Sequence, residues 1–272
     1  MPLFTIDETR CKRDGLCAAD CPVGCIVFEE GGLPEPHEKK QDYCLDCGHC
    51  MAVCPADAIR LTRFDAGSVP VDRSLNISLD QGEQFLKARR SVRAFRDESV
   101  DRDLLGRVLA VTEYGPSGHN ARPTRWVVAE GRARVADVAG AVARWMRAES
   151  EAESDLARAL HLPGIVRVWD NGTDIICRDA PALAVAVGPE QGITPQADGV
   201  IATAYLELAL AAAGLGACWC GYLMAAAAHA AGVRELLGVA DGEAVHGALL
   251  LGRPARRYAA VPPRPAPTVD WL

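Results

Sequence analysis

Apolar positions in the last two thirds of the chain recur every three or four residues. Leu104, Leu105, Val108 and Leu109 share one helical face, and Phe85 and Leu86 mark a helix ahead of it. Asp80 and Glu83 are the expected N-terminal cap of the first of these helices, and Ser99 of the second. Further helical patterns run around 132–160, 197–213 and 224–237. They alternate with strand-like apolar runs at Arg125–Ala129, Ala182–Val187 and Val245–Leu251. The stretch from Gly199 to Met224 is almost wholly apolar, but Glu207 interrupts it and Ala and Gly dominate it. It therefore predicts a buried helix followed by a buried strand rather than a membrane span. Helices and strands mixed in this order predict a mixed α/β or α+β domain over residues 80–272.

The first 63 residues have a different texture. The chain holds eleven cysteines, and eight of them fall between Cys11 and Cys54. Such clustering points to metal ligation where thiols stay reduced. The segment is also an internal repeat: Cys21-Pro22-Val23-Gly24-Cys25-Ile26 aligns with Cys54-Pro55-Ala56-Asp57-Ala58-Ile59, which predicts two pseudo-symmetric halves around paired sites. Residues 64–79 lack periodicity and read as a linker.

Within the repeat, Cys44-x2-Cys47-x2-Cys50-x3-Cys54-Pro55 matches the spacing in which three thiolates wrap one iron-sulfur cubane and the fourth reaches a second cluster. A single tetrahedral zinc leaves that spacing unexplained. The first half departs from it: Asp14 stands where a second cysteine belongs, between Cys11 and Cys17. By the crossing rule Cys11, Cys17 and Cys54 hold one cluster, with Asp14 as fourth ligand or with none. Cys44, Cys47, Cys50 and Cys21 hold the other. A carboxylate gives up iron more easily than a thiolate, so the Asp14 site is [4Fe-4S] or a three-iron cluster. Cys25 reads as a buried thiol in preference to a substitute ligand, and His49, between two ligands, as a residue that tunes cluster potential. This region resembles the two-cluster bacterial ferredoxins, including those with an altered first site.

Three later stretches carry candidate chemistry. Arg89-Arg90-Ser91-Val92-Arg93 follows a helix and offers guanidinium groups suited to a phosphate. Tyr114-Gly115-Pro116-Ser117-Gly118-His119-Asn120-Ala121-Arg122-Pro123 is a turn-rich loop of the kind that holds ligands. Gly214-Leu215-Gly216-Ala217-Cys218-Trp219-Cys220-Gly221 has small residues that would let backbone approach a flat ring, or simply pack closely. In this order, with Gly252-Arg253-Pro254 and Arg264, they resemble the nitroreductase family of FMN-dependent oxidoreductases over about residues 81–265. The whole resembles ferredoxin-nitroreductase fusions: a small 2[4Fe-4S] ferredoxin-like domain followed by a nitroreductase-like α+β FMN domain.

The resemblance implies that Arg89, Arg90, Ser91 and Arg93 bind the FMN phosphate, ribityl chain and pyrimidine edge, and that Arg264 adds a phosphate contact. Pro116, Ser117 and Asn120 would meet the flavin from the partner in an interwoven homodimer, and Trp219, Cys220 and Gly221 would line the ring. Arg122 stands where the family often has glutamine, and Cys220 where some members have glutamate, so substrate chemistry does not transfer. No side chain emerges as a catalytic acid.

A formal net charge of -7 argues against a nucleic-acid surface. The N-terminus lacks a basic start, an apolar run and a cleavage site, which makes a cytoplasmic location the expectation. The reading is an oxidoreductase that relays electrons between two clusters and FMN to reduce a small electrophile such as a nitro compound, quinone or enone, with an external electron donor. Two rivals stand beside it. In one, NAD(P)H reduces the flavin directly and the clusters are accessory; no dinucleotide fingerprint is present, although the family resemblance does not require one. In the other, the chain is a redox sensor or carrier without turnover.

Overall fold

In the computed structural model, which describes residues 2–272, contacts divide the chain into two units. The first comprises residues 2–76 with His119–Ala121, and the second Ile77–Gly118 with Arg122–Leu272.

The first unit folds as its repeat requires. Strand β1 (Phe4–Ile6) leads to helix α1 (Leu16–Ala19) and the short strands β2 (Ile26–Val27) and β3 (Glu35–Pro36). Helix α2 (His49–Val53) and strand β4 (Ile59–Leu61) complete it. β1 pairs antiparallel with β4, Phe4 opposite Leu61, so the unit's first strand is closed by its last, and β2 pairs with β3. Leu3, Phe4, Ile26, Met51, Ile59 and Leu61 form a small core with the cysteines. The two halves repeat each other in detail. Gly15 and Gly48 start α1 and α2 in the left-handed region (φ 70° and 72°), a conformation that suits glycine. Behind each Cys-Pro, Gly24 N–H donates to the Cys21 carbonyl at 3.1 Å and Asp57 N–H to the Cys54 carbonyl at 3.2 Å.

The second unit is built on a sheet whose middle strands are buried on both faces. Its elements in chain order are α3 (Leu79–Ala88), α4 (Arg102–Val111), β5 (Arg125–Glu130), α5 (Arg132–Glu151), α6 (Asp155–Ala159), α7 (Leu162–Asp170), β6 (Ala182–Pro189), α8 (Pro195–Ala212), β7 (Gly216–Trp219), α9 (Gly221–His229), α10 (Ala231–Leu236) and β8 (Glu243–Gly252). The strand order is β5-β6-β8-β7, antiparallel throughout. Alternation along β6 sends Leu183, Val185 and Val187 into a core with α5 and α9. Ala182 and Ala184 go into a second core with Leu206 and Leu210 of α8. Helices cover both faces, which is why β6 reads as a continuous apolar run. Truncating a fully buried leucine here, such as Leu183, costs on the order of 2–5 kcal/mol.

The sequence pattern and the structure differ at element ends. The cap of α3 is Ser78, whose hydroxyl accepts from Gln81 N–H while the Gln81 side chain accepts from Ser78 N–H, rather than Asp80 and Glu83. The cap of α4 is Asp101, accepting from Leu104 N–H, rather than Ser99. The pattern at 132–160 breaks after Glu151, where Glu153 takes a positive φ and Ser154 caps a new helix. That at 224–237 breaks at Ala230, which is extended. Helix α7 was not anticipated. The strand expected beyond α8 is β7.

Candidate functional site

Four cysteines surround each of two voids, once Asp14 is counted in a cysteine's place. Cys21, Cys44, Cys47 and Cys50, with Leu3, Ile26 and Leu61, line a cavity of about 360 Å³. Cys11, Asp14, Cys17 and Cys54, with Ile6 and Ile59, line one of about 350 Å³. Each cavity thus takes the last cysteine of the other half. The turns that follow aim backbone at those sulfurs: Cys25 N–H donates to Cys21 Sγ at 3.2 Å and Ala58 N–H to Cys54 Sγ at 3.3 Å. Such bonds favour a thiolate.

The donor set fits an iron-sulfur cluster. Among the described residues no three His, Cys, Asp or Glu side chains converge closely enough to grip a lone ion. The thiols stand around a space instead, as ligands of a polynuclear cluster do, and soft sulfur suits iron. Burial pushes the Cys50 thiol up to about 12 and raises Cys17 and Cys44, so positive charge in the cavity is needed to hold these sulfurs ionised. Cys25 also borders the larger cavity, but it is buried and its Sγ–H donates to the Lys40 carbonyl at 3.1 Å. Burial pushes it up to about 11. Asp14 accepts from Leu16 N–H at 3.2 Å, and His49 Nδ1 lies 3.0 Å from Asp20 Oδ2.

In the second unit the arginine segment lies along β7. Ser91 bridges Ala217 in parallel, and Val92 N–H donates to the Ala217 carbonyl at 2.8 Å. The geometry fits an anionic cofactor unevenly. Arg89 Nη1 is held 2.8 Å from Glu207 Oε1, while among the described residues no ion pair reaches Arg90 or Arg93. Trp219 Nε1–H donates to Glu207 Oε2 at 3.2 Å, so one carboxylate joins two of the residues singled out from the sequence. Gly216 is small because Val92 packs on it. At Gly221 a β-carbon would meet nothing, which leaves that backbone open to a ligand. Cys220 turns inward: it is 2 % exposed, its Sγ–H donates to the Ile176 carbonyl at 3.4 Å, and its N–H donates to Ala248. Its bond to buried Cys177 pushes the Cys177 thiol up. Arg264 is exposed in the irregular segment after β8.

The turn-rich loop forms its own group. Pro116 and Ser117 line a cavity of about 290 Å³ with Thr112, Arg122 and Asp198, and none of residues 89–93 lines it. Buried Asp198 accepts from Gly118 N–H at 2.9 Å and Thr194 Oγ1–H at 3.0 Å. His119, Asn120 and Arg122 all take positive φ (51°, 55° and 45°), a costly set for residues with side chains. Asn120 Nδ2–H donates to the carbonyls of Leu45 (3.0 Å) and Asp46 (2.9 Å) within the first unit. Asp198 was missed from the sequence, and Glu207 was noticed only as an interruption. The signal for both is a carboxylate in the otherwise apolar helix α8.

Comparison with known proteins agrees with this division. A family model described as the nitroreductase family matches residues 86–253, and one described as a 4Fe-4S dicluster domain matches residues 3–55. The first unit is similar to a ferredoxin of Saccharopolyspora erythraea, 46% identical over 46 residues (17% of this chain, 40% of the relative). It is also similar to the pyruvate synthase subunit PorD of Methanothermobacter marburgensis, 38% identical over 58 residues (21% and 63%), and to the NADH-quinone oxidoreductase subunit I 2 of Geobacter metallireducens, 33% identical over 61 residues (20% and 47%). The chain therefore spans less than two thirds of the length of each. Among solved structures, an FMN-bound nitroreductase from Bacteroides fragilis is similar in fold, with TM-score 0.59 and 23% identity over 70% of this chain and 97% of that one. The FMN- and NADPH-dependent nitroreductase NfnB from Sphigopyxis sp. strain HMH has TM-score 0.52 and 26% identity over 70% of this chain and 98% of that one.

Proposed function

This chain belongs to the nitroreductase family, and we propose that it is an FMN-dependent oxidoreductase in which two iron-sulfur clusters exchange electrons with the flavin to reduce a small electrophilic substrate. Nitro compounds, quinones and enones are the substrate class. The observation that carries the reading is the exchange of cysteines between halves: Cys54 borders the cavity of Cys11 and Cys17, and Cys21 that of Cys44, Cys47 and Cys50. Two clusters so held have a use beyond structure when the same chain continues into a flavoenzyme fold.

When bound, FMN supplies two-electron chemistry toward the substrate, and the clusters supply single electrons. The protein's part is to bind, orient and shield. In this reading Arg90, Arg93 and Ser91 hold the phosphate and polyol, with Arg89 behind them and Arg264 as a further cationic contact. Trp219 and the Gly221 backbone form the wall of the ring site, and position 220 adds backbone only, since its sulfur is buried. Pro116 and Ser117 serve the flavin of a second copy, with Asn120, whose amide N–H groups are bonded to Leu45 and Asp46, offering only its Oδ1. Helix α8 supports a homodimer: Val200 and Tyr205 are exposed on a helix that is apolar nearly all round, and such a face calls for a cover. Among the described residues no helix is long and apolar enough to cross a membrane and no cysteine is in a disulfide; because clustered cluster-ligating thiols need a reducing compartment, we place the enzyme in the cytoplasm.

A specific likeness favours a second donor. NfnB, named as FMN- and NADPH-dependent, is matched over nearly its whole length, so direct reduction by NAD(P)H with accessory clusters is the alternative. Anaerobic mixing with NADH, NADPH or a reduced low-potential ferredoxin, followed at flavin and cluster wavelengths, separates the two. Flavin bleaching by ferredoxin alone, lost in Cys47→Ala, supports the relay. Rapid bleaching by a nicotinamide in both proteins overturns it.

A further inference from the structure

Glu207 is the one charged side chain in α8 beyond its first turn, and it faces inward with only 12% of its side chain exposed. Both of its oxygens are committed. Oε1 accepts from Arg89 Nη1–H at 2.8 Å and Oε2 from Trp219 Nε1–H at 3.2 Å. The three residues come from three different places: the chain just after α3, the middle of α8 and the end of β7. A carboxylate kept this far from water in an apolar helix is costly unless it is paired, and here it is paired twice. The sheet's own geometry does not require it, because Ser91, Val92 and Ala217 already fasten the arginine segment to β7 by backbone. What the carboxylate adds is control of two side chains.

We propose that Glu207 is a positioning residue of the flavin site: it draws the Arg89 guanidinium against α8 and fixes the Trp219 indole. The anionic end of the cofactor is then met by Arg90 and Arg93, and the ring by an immobile Trp219. The inference rests on the FMN reading above and refines it in one respect. Arg89 has its charge matched from within the protein, so it acts as a strut rather than as a phosphate ligand. A free guanidinium grips phosphate by two parallel bonds; at Arg89 the Nη1 group is turned onto Glu207 instead.

The test is a double-mutant cycle on FMN affinity, measured by titrating flavin-free, cluster-loaded protein and following flavin fluorescence. Glu207→Gln is nearly isosteric, removes the charge and leaves Arg89 unpaired; Arg89→Met leaves Glu207 unpaired. Each is expected to weaken FMN binding about tenfold, roughly 1.4 kcal/mol. The double variant is expected to be no weaker than either, since no charge is then stranded. Near-ultraviolet circular dichroism of the flavin-free protein supplies a readout independent of the cofactor. Glu207→Gln and Trp219→Phe are expected to lose the same indole band, with cluster absorbance unchanged. If Glu207→Gln does not fold, Glu207→Asp, which keeps the charge on a shorter arm, is expected to give the same tenfold loss. A double variant about a hundredfold weaker would overturn the proposal, because Arg89 would then be acting on the phosphate in its own right. So would a Glu207→Gln protein that binds FMN like the wild type, which would leave the flavin reading intact. A wild-type chain that takes up no FMN would remove both.

Discussion

A β-carbon placed on Gly216 would lie 2.4 Å from Cγ2 of Val92 and 2.7 Å from its Cβ. The glycine is what lets the arginine segment lie flat on β7, through Val92 N–H and the Ala217 carbonyl. Gly216→Ala therefore forces the segment off the strand, with an overpacking cost of about 1–3 kcal/mol. The expected result is a lower Tm and a loss of FMN affinity of tenfold or more, while iron content is unaltered. Calorimetry and flavin titration check it; unchanged affinity would separate the arginine segment from the cofactor site.

Cys54 belongs to the second cysteine run in sequence but borders the cavity of Asp14, Cys11 and Cys17. In the Cys54→Ala variant the Asp14 site is expected to lose its cluster, while the site bounded by Cys44, Cys47 and Cys50 keeps four irons. Iron analysis and electron paramagnetic resonance of the reduced protein decide the matter. Damage confined to the Cys44 site would reverse the assignment.

Arg125 and Glu243 tie the edge strand β5 to the start of β8, at 2.8 Å for Nε to Oε1 and 2.5 Å for Nη2 to Oε2. With Arg125 and then the Ala240 N–H bonded to it, Glu243 is held at about 2, below its ordinary 4.5. A depressed carboxylate stabilises the fold at pH values above 4.5, and its contribution fades as pH falls from there toward 2. Glu243→Gln is expected to lower stability by about 1 kcal/mol at pH 6. The gap between variant and wild type in thermal melts should narrow at pH 3. A gap that stays constant would mean the pair contributes nothing.

The cysteine spacing and the apolar runs carried most of what the sequence could tell. Strands β6 and β8 were legible because burial on both faces leaves an unbroken apolar run, and the grouping of cysteines around two cavities because it follows the spacing of the repeat. Element ends were less so. Asp80, Glu83 and Ser99 are all competent caps, and the choice of Ser78 and Asp101 is made by side chains that reach the third residue of each helix. At Cys220 the residue type suited a ring-lining role, but which way a side chain turns at the end of β7 depends on the core behind it. Glu207 and Asp198 stand out as carboxylates in an apolar helix, but their partners went unread because a contact between residues far apart in sequence leaves no local trace.

The exchange of cysteines between halves also has a consequence for synthesis. A ribosome that has released only residues 1–43 has made Cys11, Cys17 and Cys21, yet neither cavity has its full lining. One lacks Cys54, and the other lacks Cys44, Cys47 and Cys50. Both cavities reach completion only with the final residues of the second run, and β4, which pairs with β1, follows within a few residues. A half-made chain has no finished pocket to fill, so iron and sulfide delivered too early find no stable home in it.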